Sequence, residues 1–245
     1  MSSKSRIEWT DATWNPVTGC TKISTGCKNC YAERIAKRFW DRPFAEVRCH
    51  PDKLFEPKKW RKPRKVFVCS MSDLFHKDVP DSFISDVFMA MALDARQHTY
   101  MILTKRPARM MEFMNGSHEC VQHHIWLGVS VENQEMADER IPILLDTSAV
   151  IRFVSVEPML GEVNLEKYFH GRLRKLDWVI CGCESGRGAR PTNVFWADLL
   201  RAQCQLYKIP FFLKQLRGDG RLIKMPELNG RVWDQYPEDL KRYGR

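Results

Sequence analysis

Six short runs rich in β-branched and aromatic residues recur along the chain: Val66–Cys69, Tyr100–Leu103, Ile125–Val131, Val150–Val156, Trp178–Cys181 and Phe211–Leu213. They are mostly continuous rather than alternating, the pattern of parallel strands covered on both faces. Arg6–Trp9 is a candidate seventh strand. Helical spacing fills the gaps. Asp81 to Arg96 follows Pro80 and carries Phe83, Ile84, Val87, Phe88 and Met91 on one face. Asn193 to Tyr207 carries Val194, Leu199, Leu200 and Leu206, and Tyr31 to Trp40 carries Ala32, Ile35, Ala36 and Phe39. Arg106–Met114 and Asn133–Leu145 complete the set.

Strand and helix therefore alternate over nearly the whole chain, which predicts an α/β fold with a parallel sheet, doubly wound or rolled into a barrel. No internal repeat, low-complexity tract or interdomain linker interrupts the pattern. The expected organisation is one β/α domain over 1–216, with an irregular proline-rich insertion at 41–64. A loop-rich tail or cap, 217–245, is expected to pack on the same domain.

In such folds, chemistry gathers at the C-terminal ends of the strands. Every predicted strand here ends in polar residues: Ser70, Ser72 and Asp73; Lys105 and Arg106; Ser130, Glu132 and Asn133; Ser155 and Glu157; Glu184; Lys214 and Gln215. Helix capping accounts for Asn133 and for Asp73. It does not account for Lys105, Arg106, Glu157, Glu184 and Lys214, whose long charged side chains are not N-caps. A charged site at one mouth of the sheet is expected. Glu184–Pro191 is the most glycine-rich segment, and its backbone N–H groups with Arg187 and Arg190 suggest an anion cradle. It matches neither the P-loop nor the dinucleotide fingerprint.

Composition narrows the setting. The 245 residues are 44% hydrophobic and 28% charged, as expected of a soluble globular protein. The N-terminal Met-Ser-Ser-Lys-Ser-Arg lacks the apolar core of a signal peptide, so a cytoplasmic, reducing location is expected. Nine cysteines there read as thiols and metal ligands rather than disulfides. Net charge is +9, and the excess is local: between Tyr31 and Lys65 there are 12 Lys/Arg against 5 Asp/Glu. Phe39, Trp40, Phe44, Phe55 and Trp60 are interleaved among them. That mix suits a surface that follows a phosphate backbone and stacks on bases, and it equally suits a solvated basic face.

The most informative local feature is Cys20, Cys27 and Cys30, held in one Gly/Ser/Thr-rich loop with a predicted helix directly behind. Three thiolates can bind three irons of a four-iron cluster and leave the fourth open to a ligand. Zinc needs a fourth ligand, for which Cys49 or His50 is available. A thioredoxin-like pair leaves Cys20 unexplained. Cys181 and Cys183 read as packing thiols, and Cys49, Cys69, Cys120 and Cys204 as ordinary small residues.

The layout of a cysteine loop followed by β/α units resembles the radical S-adenosylmethionine (SAM) enzymes. The chain also resembles a phage- and prophage-associated family of unassigned function, close to the spore-photoproduct-lyase-like proteins. The matching segments include Trp14–Cys20, Gly26–Ala32, Asp73–Phe75, Leu103–Pro107, Gly128–Asn133, Arg152–Pro158, Glu184–Gly186 and Phe212–Gln215. Most radical-SAM members space their cysteines CxxxCxxC with an aromatic before the last; here the first gap is longer and Tyr31 follows Cys30.

The resemblance implies an incomplete β/α barrel of six or seven βα units. It implies a [4Fe-4S] cluster on Cys20, Cys27 and Cys30, with SAM on the open iron, cleaved by one electron to a 5′-deoxyadenosyl radical that abstracts hydrogen from substrate. An electron donor of low potential would be a partner. By strand order, Ser70, Ser72, Asp73, Ser130, Glu132, Asn133 and Ser155 are expected around SAM. Lys105, Arg106, Glu157, Glu184 and Lys214 are expected in the reaction site. The expected substrate is a nucleic acid or a nucleotide-derived molecule. The rival expectation is a non-catalytic, zinc-stabilised nucleic-acid-binding protein.

Overall fold

The computed structural model describes residues 5–171, 174–186, 188–218 and 220–237. Its main sheet has eight strands whose spatial order follows the chain. They are β1 (Ala12–Trp14), β2 (Lys65–Val68), β3 (Thr99–Thr104), β4 (Ile125–Val131), β5 (Ile151–Val156), β6 (Trp178–Gly182), β7 (Phe211–Gly218) and β8 (Arg221–Lys224). Strands β1 to β7 pair in parallel, and β8 returns antiparallel to β7. The sheet curls into a half-barrel that β1 and β8 leave open.

Helices α1 (Tyr31–Phe39), α2 (Asp81–Met89), α3 (Pro107–Asn115), α4 (Gln134–Asp146) and α5 (Val194–Leu206) supply the crossovers. Loops and a single 3-10 turn, Glu166–Tyr168, bridge β5 to β6. The Asn133 side chain caps α4 by accepting from Met136 N, and Asn193 caps α5 by accepting from Phe195 N. Pro107 starts α3, where its missing N–H costs nothing. The segment expected as one helix to Arg96 is α-helical to Met89 and continues as a π-turn, Ala90–Asp94. None of the described helices is long and apolar enough to cross a membrane.

Both faces of the sheet are apolar, which is why its strands read as continuous hydrophobic runs. The convex face (Val66, Val68, Ile102, Leu127, Val129, Val154, Val179) packs against Ile84, Met110, Ile141 and Leu200 of the helices. The concave face holds a second core of Phe67, Met101, Trp126, Phe153, Trp178, Ile180 and Phe212. Trp178 is its hub, with ring centroids 5.6 Å from Phe153, 5.9 Å from Trp126 and 6.2 Å from Phe212. Room for Phe153 comes from its register partner Gly128, where a Cβ would stand 2.6 Å from the ring.

Two expectations change. Arg6–Trp9 is a turn rather than a strand, because the first paired residue is Ala12. This turn delivers Trp9 into the concave core, 4.7 Å from Phe67. The stretch from 217, expected as loops, carries β7 to Gly218 and forms β8 at Arg221–Lys224, then a short hairpin pairing Glu227–Leu228 with Arg231–Val232. Trp233 and Tyr236 then pack back on the sheet, Tyr236 stacking on Trp178 at 5.2 Å. The insertion at 41–64 is irregular as expected, yet anchored: the Trp14 indole donates to the Lys53 carbonyl at 2.8 Å.

Because the floor depends on a small residue facing a large one, Gly128→Ala should cost about 1–3 kcal/mol by overpacking. The double change Gly128→Ala with Phe153→Leu should recover part of that loss. Urea denaturation of both variants tests the pairing, and equal stability of the single variant and the parent would refute it.

Candidate functional site

The cysteine loop leaves β1 through Val17–Thr18, which pairs with Arg48–Cys49 of the insertion. Gly19 has φ +92°, and a Cβ there would lie 2.2 Å from the Glu46 carbonyl, so only glycine fits. The insertion closes over the loop as Cys20 N donates to the Phe44 carbonyl at 2.8 Å. Thr25–Cys27 form a 3-10 turn, and α1 begins directly after Cys30.

Polar braces fix this loop to the strand ends. At β2 and β3, the Arg106 guanidinium donates to Asp73 Oδ2 at 2.9 Å and to the Thr21 carbonyl at 3.0 Å, and lies 3.6 Å from Cys20 Sγ. Asp73 also accepts from the Thr104 hydroxyl at 2.7 Å. Beside them, fully buried His76 accepts from Asp78 N at Nδ1, which leaves Nε2–H to donate to the Thr21 hydroxyl at 2.7 Å.

At β4, Gly26 N donates to Glu132 Oε1 at 3.0 Å, while Arg140 of α4 donates to Glu132 Oε2 at 3.1 Å. Glu132 and Arg140 are 0% and 2% exposed. At β6, Asn29, which lies between Cys27 and Cys30, donates to Glu184 Oε2 at 2.8 Å. The same carboxylate takes Arg190 N at 2.8 Å and the Arg190 guanidinium. The Ser72 hydroxyl donates to the Gly19 carbonyl at 2.6 Å, the Ser70 hydroxyl to Asn15 at 3.2 Å, and the Tyr31 hydroxyl to the Ser70 carbonyl.

The three thiols differ in setting. Burial, with the Asp73 carboxylate, pushes the Cys20 thiol up to about 11, and the Arg106 guanidinium opposes it. Burial also acts against ionisation of Cys27. Backbone hydrogen bonding and the Lys105 ammonium outweigh it, so its pKa is lowered. Among the described residues the Lys105 ammonium has no carboxylate within ion-pair distance, in contrast to Lys214, which is paired with Glu157.

These groups surround a cavity of about 200 Å³ at the C-terminal mouth of the half-barrel. It is bordered by Cys20, Cys27 and Cys30 and by most of the strand-end residues: Ser70, Ser72, Asp73, Lys105, Arg106, Ser130, Ser155, Glu157, Glu184 and Lys214. Two expected residues do not border it. Glu132 is turned to the underside of the cysteine loop and Arg140, and Asn133 is spent as the α4 cap. Among the described residues, no three His, Cys, Asp or Glu side chains form a single-ion site; the thiols border the cavity instead.

The expected anion cradle of Glu184–Pro191 is filled from within, because the anion that Arg190 N receives is the Glu184 carboxylate. Arg187 lies outside the described residues. Cys183, expected to be a packing thiol, borders the cavity, as does Cys69. Sequence reasoning missed Asn29, His76, Arg140 and Trp9. Only Asn29 carried a signal, its place between two candidate ligands. On the flank formed by α1 and the insertion, the Arg42 guanidinium lies 4.3 Å over Trp40, Arg38 lies 5.1 Å over Phe39, and Phe39 is 71% exposed.

The braces make a stability prediction. Glu132→Ala leaves a buried guanidinium without its carboxylate and should cost about 3–5 kcal/mol in chemical denaturation. Glu132→Gln keeps an acceptor for Gly26 N and should cost less.

The chain matches, over residues 4–237, the family described as a protein of unknown function (DUF5131), and it belongs to that family. No curated protein and no solved structure matches it.

Proposed function

We propose that the chain is a radical-SAM enzyme that binds a [4Fe-4S] cluster through Cys20, Cys27 and Cys30 and acts on a nucleic acid or a nucleotide-derived substrate. The observation that carries this reading is three thiols on one braced loop opening onto a cavity at the C-terminal mouth of a parallel half-barrel. A single zinc ion requires all its ligands around one centre, whereas a cuboidal cluster takes each thiolate on a different iron. Three thiols bordering one cavity, with no single-ion site among the described residues, suit the second. The donor set fits as well: Cys27 has Lys105 nearby and Cys20 has Arg106, cations that favour thiolates and offset cluster charge.

Cys20, Cys27 and Cys30 would hold the cluster, which with SAM would supply one-electron chemistry for hydrogen abstraction from the substrate. The remaining work falls to the chain. Arg106 holds Asp73 and the Cys20–Thr21 backbone together, so loop position and mouth charge are set by one group. Lys105 offers an unmatched positive charge to an anionic group of cofactor or substrate. Ser70 and Ser72 spend their hydroxyls on Asn15 and on the Gly19 carbonyl, so their part is to hold the loop. The Glu157–Lys214 pair is positioned to hold or move a proton at the wall of β5 and β7. The aromatic floor excludes water beneath the site.

The substrate half rests on the basic flank of α1 and 41–64, where guanidinium groups over Trp40 and Phe39 give a phosphate-following, base-stacking surface beside the cysteine loop.

Protein purified without oxygen should be brown, with about four irons and four sulfides per chain. Dithionite and SAM should then yield 5′-deoxyadenosine. Cys27→Ala should lose the visible absorption and most of the iron. A colourless wild-type protein carrying one zinc would overturn the reading in favour of a structural metal. Binding to single-stranded DNA or RNA should weaken steeply with salt. Arg38→Ala with Arg42→Ala should weaken it further; no binding at low salt would remove the nucleic-acid half.

A further inference from the structure

The concave face changes character along each strand. On β5 the inward series is Phe153, Ser155, Glu157; on β3 it is Met101, Leu103, Lys105; on β7 it is Phe212, Lys214. Charge sits at the mouth and aromatic rings at the floor. Between them, two buried polar atoms have no hydrogen-bond partner among the described residues: Ser155 Oγ and Trp9 Nε1. Ser155 is 0% exposed and Trp9 2%. Both residues border the same cavity, with Phe67 and Leu103.

Buried polar groups are nearly always paired, and leaving one unpaired costs about 1–3 kcal/mol. Two residues with such atoms bordering one cavity mark a place for a ligand that completes them. Their chemistry defines it. An indole N–H only donates, and a serine hydroxyl donates or accepts. The ligand therefore presents an acceptor edge with a neighbouring polar group. Trp9 and Phe67 pack ring against ring at 4.7 Å and together present one aromatic surface, which suits a flat, apolar-faced body. A nucleobase has both properties.

We infer that Trp9 and Ser155 form a floor subsite for the nucleobase of the substrate. This rests on the proposed function and narrows it: the substrate is a nucleoside unit whose base enters the half-barrel, with its sugar toward the charged mouth. Within a polynucleotide, such a base must leave the stack to reach the floor. Ser70 and Asp73, expected around the cofactor, lie beyond the end of β2; Ser130 and Ser155, also expected there, are register partners one step inside the ends of β4 and β5, and Ser155 is assigned here to the second ligand.

The test is equilibrium dialysis of full-length anaerobic protein against radiolabelled thymidine, cytidine, adenosine and guanosine, with S-adenosylhomocysteine as competitor. Iron is assayed on the same samples. At least one nucleoside should bind, and Ser155→Ala and Trp9→Phe should each weaken it about tenfold, one lost hydrogen bond. Ser155→Ala should melt at or above the wild-type temperature, since it removes an unpaired hydroxyl; a purely structural serine would lower it. Retained nucleoside binding that neither variant weakens overturns the subsite, as does displacement of the nucleoside by S-adenosylhomocysteine. Wild-type protein that carries iron and binds none of the four nucleosides also overturns it while leaving the cluster reading intact. Variant-sensitive binding by iron-free protein supports the subsite and counts against the cluster reading.

Discussion

Glu132 is a carboxylate shut away from water, and the middle of the cysteine loop leans on it. One oxygen faces the Arg140 guanidinium, itself sealed under α4, and the other receives the backbone N–H of Gly26. Both oxygens of Glu132 are thereby saturated, as a buried charge requires, while Arg140 leaves its Nε without a partner among the described residues. The geometry of that saturation leaves no slack: a side chain on Gly26 would collide with the carboxylate at 2.9 Å. The cysteine loop is therefore held against the sheet by charge rather than by apolar burial. That suits a loop whose residues, apart from the cysteines and an exposed Ile23, are Gly, Ser, Thr, Lys and Asn.

The rest of the design divides labour between the two faces of one sheet. The convex face carries the hydrophobic contact with the helices. The concave face carries a second apolar core at the floor, which rigidifies the strand ends from beneath. Strand ends supported in this way can hold Asp73, Arg106, Glu157 and Lys214 in fixed relation without further packing around them. A polar site of this density on free loops would lose much of its pre-organisation to motion.

Much of this was legible in the sequence. The strands announced themselves because burial on two faces writes an unbroken apolar run, and the polar residues after each run sit at the mouth. The cysteine loop stood out because three thiols within eleven residues have few other uses. What escaped notice depended on long-range pairing. Trp9 looked like part of a strand because its neighbours are apolar, yet the chain turns there and buries the indole. Glu132 looked like a cofactor contact, because a lone sequence cannot show that Gly26 and Arg140 would pair with it; Glu184 borders the cavity as expected, and its pairing with Asn29 and Arg190 was not legible. Asn133 carried both readings, and its helix took it. The 217–237 segment appeared loop-like because β8, exposed at an edge, is polar and lacks the apolar pattern of the inner strands.

The braces also impose an order of assembly. Gly26 reaches Glu132 across 106 residues of chain, and Asn29 reaches Glu184 across 155. Contacts of such separation carry a large loop-closure cost and form late, once nearer pairings have drawn the chain together. The three thiols are made early in the polypeptide, but they take their places only after β4 and β6 have joined the sheet. Until then the three cysteines lie on a segment without its braces, and they acquire their setting late in assembly.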